Sequence, residues 1–196
     1  MKTTFKKILV FSSNKNKIKE IKKIFIGKKI KFLSIDKSVM PEETGKTFNQ
    51  NAKLKSKRGF DLYKIPCISD DSGICVSALK GGPGVFSKRF EKKFKSQNHA
   101  NQEIIKLTKK LHDNKAYFKS VISFTYKKNK TITFEGIRNG IIVSKPRGKR
   151  GFGYDPIFQP NGVKKTYAEM SKNEKNSISH RSIAMNKFFI FLNQLT

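Results

Sequence analysis

Apolar residues along this chain follow two rhythms, and the switches between them mark its elements. Residues 7–12 contain a short continuous apolar run, read as a buried strand. A turn leads from it into a helix with Ile18, Ile21, Ile24 and Phe25 on one face. A second strand is predicted over residues 30–35, and Thr47 stands where it caps a helix running to about Tyr63. Residues 65–69 read as a strand leading into Asp70-Asp71-Ser72-Gly73, with another short strand through Cys75 and Val76. Ile104, Leu107, Thr108 and Leu111 recur at helical spacing. The period then changes to two. Phe118, Ile122, Phe124 and Tyr126 alternate with polar positions, as do Ile132 and Phe134 beyond a turn at 127–130, which predicts a β-hairpin. Gly140 precedes a further strand over 141–144. A terminal helix from about Ser179 buries Ala184, Phe188, Phe191, Leu192 and Leu195. Helices interleaved with strands of both kinds predict an α/β protein, with a mixed central β-sheet flanked by helices.

Composition narrows this picture. Hydrophobic residues make up only 36% of the 196, yet 17 of the residues are Phe, enough apolar area for a core. There is no internal repeat and no Pro/Gly/Ser-rich linker, so residues 1–196 read as a single domain. The apolar run at 8–11 is too short for a signal-peptide core, and no stretch approaches transmembrane length. The expectation is a cytosolic protein without a membrane partner. Cys67 and Cys75 match no zinc or redox spacing and read as two buried thiols in a reducing compartment. The net charge of +29 attracts polyanions. The basic residues, however, are mostly lysines spread along the whole chain, with no basic stripe interleaved with stacking aromatics. Nucleic-acid binding is therefore expected only as nonspecific electrostatic attraction.

Two glycine motifs fail on inspection. Gly45-Lys46-Thr47 matches the end of a phosphate-binding P-loop, but Met40 stands where the first glycine belongs. Gly81, Gly82 and Gly84 lack dinucleotide-fold spacing. Four other segments carry candidate chemistry. Ser12-Ser13-Asn14-Lys15-Asn16-Lys17, between strand and helix, offers backbone N–H groups and a lysine to an anion. Glu42-Glu43 and Asp70-Asp71 are adjacent acidic pairs, and two readings stay open for them. They are ligands for a hard cation, or they are a solvated turn and a strand-terminating Asx turn. Phe152-Gly153-Tyr154-Asp155 combines close backbone approach, aromatic surface and an acceptor. Lys175 and His180-Arg181 add donors downstream.

Taken in order, the segments SSNKNKIKEI, EETGKTFNQNAKLK, SDDSG, ALKGGPGVFSKRF, GFGYDPIF, TYAEMS and EKNSISHR resemble the inosine triphosphate pyrophosphatase family, also called Ham1-like. The match runs from Ser12 to Arg181, and GFGYDPIF and SHR together with DDSG are what make it specific. The resemblance implies hydrolysis of ITP, dITP and XTP to the monophosphate and pyrophosphate. It also implies a Mg²⁺ cofactor, two lobes around a nucleotide-binding cleft, and a homodimer. By residue, it implies that residues 12–17, Lys55 and Ser72 hold the triphosphate, with Lys88 as a helper. Glu42 and Asp71 would face the metal, and Asp71 would accept the proton. Phe152, Gly153, Tyr154, Asp155, Lys175, His180 and Arg181 would form the base pocket. One departure stands out: the family's first loop usually reads Thr-Gly-Asn, whereas this chain has Ser12-Ser13-Asn14. If Ser13 needed a glycine-only backbone it would be strained.

Overall fold

In β1 (Lys7–Val10) alternation sends Ile8 and Val10 to one face of the sheet and Leu9 to the other, and both faces are buried. The structure, a computed structural model, describes residues 5–24, 30–34 and 40–195; Phe25 and Ile35 lie outside them. After β1 come α1 (Lys15–Ile24), β2 (Lys31–Ser34), α2 (Phe48–Tyr63) and β3 (Cys67–Val76). Then follow α3 (Ser87–Glu91), α4 (Gln97–Lys110), β4 (Lys115–Lys127), β5 (Lys130–Ile142), β6 (Phe158–Pro160), α5 (Lys172–Ile178) and α6 (His180–Leu195). The six strands form one sheet in the order β2-β1-β3-β4-β5-β6. β1 pairs in parallel with both β2 and β3, while β5 and β6 are antiparallel, so the sheet is mixed as expected.

Local chemistry explains the boundaries. The Thr47 hydroxyl accepts the Gln50 N–H, and the Gln50 side chain accepts the Thr47 N–H, a reciprocal cap that starts α2. Lys64, in a left-handed conformation, returns its N–H to the Phe60 carbonyl and ends the helix. The turn between β4 and β5 is Lys128-Asn129, with Asn129 at φ 63°.

The largest departure from the sequence reading is β3. It is one ten-residue strand running straight through Asp70-Asp71-Ser72-Gly73, where the sequence predicted a break. Asp and Gly are poor strand formers, but tertiary contacts override that preference here. Both carboxylates find buried cationic partners, described below. Gly73 is needed because a Cβ there would lie 2.3 Å from the Gly84 carbonyl oxygen and 2.4 Å from Ser87 Oγ. β5 likewise runs unbroken through Gly140, so no separate strand begins there. The helices α3 and α5 and the short strand β6 were not anticipated.

The chain divides into two compact units. One comprises Met1–Asp71, Ser120–Gly136 and Arg181–Thr196; the other comprises Ser72–Lys119 and Ile137–His180. The core of the first packs Ile8, Val10, Ile68, Ile122 and Phe124 of the sheet with Ile21 of α1 and Ala184, Met185, Phe188 and Leu192 of α6. On the opposite face of its sheet, Leu9, Phe11 and Cys67 pack with Phe60 of α2. The second unit has its own core, in which Ile74, Val76, Ile104, Phe118, Ile142, Phe158 and Tyr167 meet. Cys67 and Cys75 are buried free thiols. Among the described residues no helix is long and apolar enough to cross a membrane.

Candidate active site

Because β3 is continuous, its adjacent aspartates point to opposite faces of the sheet. Each meets a different set of partners, and this decides their chemistry.

Asp70 is the centre of a buried ionic cluster in the first unit. Its Oδ2 pairs with Lys17 Nζ at 2.7 Å and Arg181 Nη2 at 3.3 Å. Its Oδ1 accepts a hydrogen bond from Ser120 Oγ. Arg181, fully buried, also pairs with Glu20. Burial alone would raise the Asp70 pKa. Arg181, Lys17 and the hydrogen bonds from Lys17 and Ser120 overturn that and hold it well below the usual carboxylate range. Asp70 is therefore an anchor that stays ionised well into the acid range.

Asp71 faces α2. Its Oδ1 meets Lys55 Nζ at 3.2 Å and its Oδ2 accepts from Asn51 Nδ2 at 3.3 Å. Asn51 and Lys55 are four positions apart, on one helical face. Lys55 Nζ also donates to Glu43 Oε1 at 2.6 Å and to the Asp70 carbonyl at 2.8 Å. Burial raises the Asp71 pKa above its ordinary value, Lys55 and Lys17 pull against the rise, and Glu43 and Asp70 add to it. Burial would lower the Lys55 pKa, but Asp71, Glu43 and Asp70 reverse this, so Lys55 stays an ammonium. The pair thus presents a carboxylate made more basic beside a fixed positive charge, the combination a general base acting near an anion needs.

The loop carrying the first candidate anion site begins where β1 ends. Ser12 is buried and its Oγ accepts the Asn14 N–H at 3.2 Å. Asn14 Oδ1 accepts the N–H groups of both Asn16 and Lys17, at 3.0 and 3.2 Å, and so caps α1. Three amide donors expected to face a phosphate are consequently occupied by the protein. Among the described residues, left-handed backbone at a non-glycine residue occurs at Lys64, Lys80, His112 and Asn129 but not at Ser13. The missing family glycine thus imposes no strain here.

In the second unit Asp155 is the organising group. Its Oδ2 accepts the Phe152 N–H at 2.8 Å and pairs with Lys175 Nζ at 2.6 Å, both residues of the pair being buried. The Lys175 ammonium also stands over the Phe152 ring, 4.8 Å from its centroid, and over the Tyr167 ring at 5.3 Å. Ser171 caps α5 through a reciprocal bond with Glu174 and so aims Lys175. His180 stacks on Phe118, with centroids 4.7 Å apart and planes at 10°. Gly151 has φ +76°, and a Cβ there would lie 2.1 Å from Asp155 Oδ2. Gly151→Ala is therefore expected to cost about 1–3 kcal/mol through backbone strain, read as a drop in thermal unfolding temperature.

Three residues are placed differently from the expectation. Glu42 is exposed, and Glu43 is the carboxylate that reaches Lys55 opposite Asp71. Neighbours in an extended loop point opposite ways, and only one of the pair faces α2. Tyr154 is buried and donates its hydroxyl to the Ser87 carbonyl at 2.8 Å, so it braces the loop and offers no open stacking surface. Arg181 contacts Asp70 and Glu20 because a buried guanidinium requires carboxylate partners. Lys88 is largely exposed and pairs with Glu91 one helical turn away. Ser72 is half-buried on β3, just beyond Asp71. Asn51, Glu20 and Ser120 were not foreseen. The spacing of Asn51 from Lys55, and of Glu20 from Lys17, was the available signal.

The Ham1 family model matches residues 8–191. The chain is 41% identical over 190 residues to the dITP/XTP pyrophosphatase of Aquifex aeolicus, covering 92% of this chain and 94% of that protein. A solved HAM1 protein from Coxiella burnetii aligns with a TM-score of 0.86 at 34% identity, over 96% of this chain and 98% of the other. The nucleoside-triphosphatase / dITP/XTP pyrophosphatase of Mycobacterium abscessus aligns with a TM-score of 0.73 at 31% identity, over 93% and 98% of the two chains. A family model spanning residues 8–191, relatives more than 30% identical along nearly the whole chain, and solved structures with the same fold show that this chain belongs to the Ham1 family.

Proposed function

We propose that the protein hydrolyses the α–β phosphoanhydride of ITP, dITP and XTP, releasing the nucleoside monophosphate and pyrophosphate and so clearing non-standard purines from the nucleotide pool. The observation carrying this reading is Asp71, a buried carboxylate of raised basicity held against Lys55 in a Ham1 family chain. Asp71 accepts the proton of the water that attacks the α-phosphorus. Residues 12–17 and Lys55 stabilise the phosphates. Phe152, Gly153, Asp155, Lys175 and His180 receive the base, with Tyr154 bracing their loop and Arg181 fixing Asp70. A donor matched to a 6-oxo group is left unpaired by the 6-amino group of adenine, which disfavours ATP.

Mg²⁺ fits the oxygen donors present. Glu43, from the loop, and Asp71, from β3, both reach the Lys55 ammonium, so each would turn an oxygen to the ion once nucleotide phosphates engage Lys55, with Glu43 taking the place expected for Glu42. Two carboxylates suffice where phosphate oxygens and water complete the shell. When bound, the ion neutralises phosphate charge. A cytosolic homodimer completes the proposal; two buried free thiols suit a reducing compartment, and light scattering after size exclusion tests the dimer.

The deciding experiment measures pyrophosphate released from ITP, XTP, GTP and ATP with Mg²⁺. Release from ITP and XTP, with little from ATP, is expected. Equal rates on ATP, or none on ITP and XTP, would overturn the reading.

A further inference from the structure

A lysine ammonium has three N–H donors, and all three of Lys55 have acceptors in this structure. They are Glu43 Oε1, the Asp70 carbonyl and Asp71 Oδ1, at 2.6, 2.8 and 3.2 Å. The side chain is only 5% exposed. No donor remains for a phosphate unless one of these contacts is released. Asn51 completes the arrangement: its Nδ2 donates to Asp71 Oδ2, and its Oδ1 accepts the Gly45 N–H at 2.7 Å. The acidic loop, α2 and β3 are thus tied together through two side chains of one helix face.

The same geometry bears on cations. Among the described residues no group of three or more His, Cys, Asp or Glu side chains is placed to hold a metal ion. The two carboxylates that converge, Glu43 and Asp71, converge on an ammonium. A divalent cation arriving alone would have two protein ligands and a neighbouring positive charge opposing it. A cation arriving with a nucleoside triphosphate brings phosphate oxygens as further ligands, and those phosphates supply new acceptors for Lys55.

We propose that Lys55 is an internal counter-ion and a positioning residue. It holds Glu43 and Asp71 together in the nucleotide-free enzyme and keeps a free divalent cation out, so that cation and nucleotide bind together. The inference rests on the substrate reading only for the identity of the nucleotide.

The test uses Mn²⁺ as a paramagnetic probe for Mg²⁺. Bound and free Mn²⁺ are separated by electron paramagnetic resonance, with and without the non-hydrolysable α,β-methylene analogue of ITP. Wild-type protein is expected to bind Mn²⁺ at least roughly tenfold tighter with the analogue than without it. Lys55→Met, which leaves two carboxylates without their counter-ion, is expected to bind Mn²⁺ alone about tenfold or more tighter than wild type does. Its unfolding temperature, measured on metal-free protein in chelator-free buffer, should rise on adding Mn²⁺, while that of wild type stays put. Wild-type protein binding Mn²⁺ equally well with and without bound analogue would overturn the proposal, and so would a Lys55→Met variant with wild-type Mn²⁺ affinity. If Lys55→Met does not fold, Lys55→Gln and the wild-type comparison carry the test. An analogue that fails to bind at all would count against the substrate reading, leaving the nucleotide-free measurements to decide the role of Lys55.

Discussion

Asp71→Asn is expected to lower pyrophosphate release from ITP by about 10²–10⁴-fold, the range for removal of a positioned general base. The substitution keeps the shape of the side chain; its single amide oxygen still accepts from Lys55, while the contact with Asn51 Nδ2 is lost at a cost of about 1–3 kcal/mol, well short of unfolding the protein. A cooperative unfolding transition should therefore persist, which separates loss of chemistry from loss of fold. The raised basicity of Asp71 gives the pH dependence its sign. Its carboxyl ionises above the ordinary value of 3.8, so activity should rise with pH through that shifted value and then level off. An Asp71→Asn enzyme turning over ITP at the wild-type rate would remove Asp71 from the mechanism.

The second large effect concerns the neighbouring residue and falls on stability. Asp70→Ala is expected to lower the unfolding free energy in urea by about 3–5 kcal/mol, the cost of breaking a buried ion pair from one side. The reason is Arg181, which is fully buried and keeps its charge, and which would lose the carboxylate that Glu20 alone does not replace. Acid should act in the same direction. The folded-state pKa of Asp70 lies well below the ordinary 3.8, so its contribution is present above that value and lost as pH falls toward the folded-state one. Asp70→Asn should flatten this part of the acid-unfolding curve. An Asp70→Ala protein as stable as wild type would show that the cluster does not hold α1 and α6 to β3. Two adjacent identical residues are thus expected to fail in opposite ways, one in chemistry and one in folding.

That contrast was not legible in the sequence. Two neighbouring acids in a chain rich in lysine read equally well as a metal site or as a turn. The side on which each aspartate lies depends on β3 being continuous, and β3 is continuous because of contacts with residues distant in the chain. Gly73 lies against Gly84 and Ser87, and Asp70 is paired with Arg181, 111 positions away. No local propensity encodes these. The choice of Glu43 over Glu42 has the same origin, since only the placement of α2 beside the loop decides which neighbour meets Lys55. The capping of α5 is a different case. Ser171 and Glu174 stand at the spacing of a reciprocal cap, so the start of this helix is encoded locally.

By itself the sequence determined whatever depends on neighbours within a turn or on strict periodicity. The buried run of β1, the cap and length of α2, the hairpin of β4 and β5 and the apolar side of α6 all follow from such patterns. The ordered motifs further established the family, because several specific segments in one order are hard to match by accident. Tertiary structure alone decided how the charges were shared out. Burial is costly for an ion unless a counter-charge meets it, and which counter-charges are within reach is a property of the folded chain. It made Asp70 an anchor and Asp71 a base, gave Lys55 a full set of acceptors before any ligand arrives, and drew Arg181 to a pair of carboxylates.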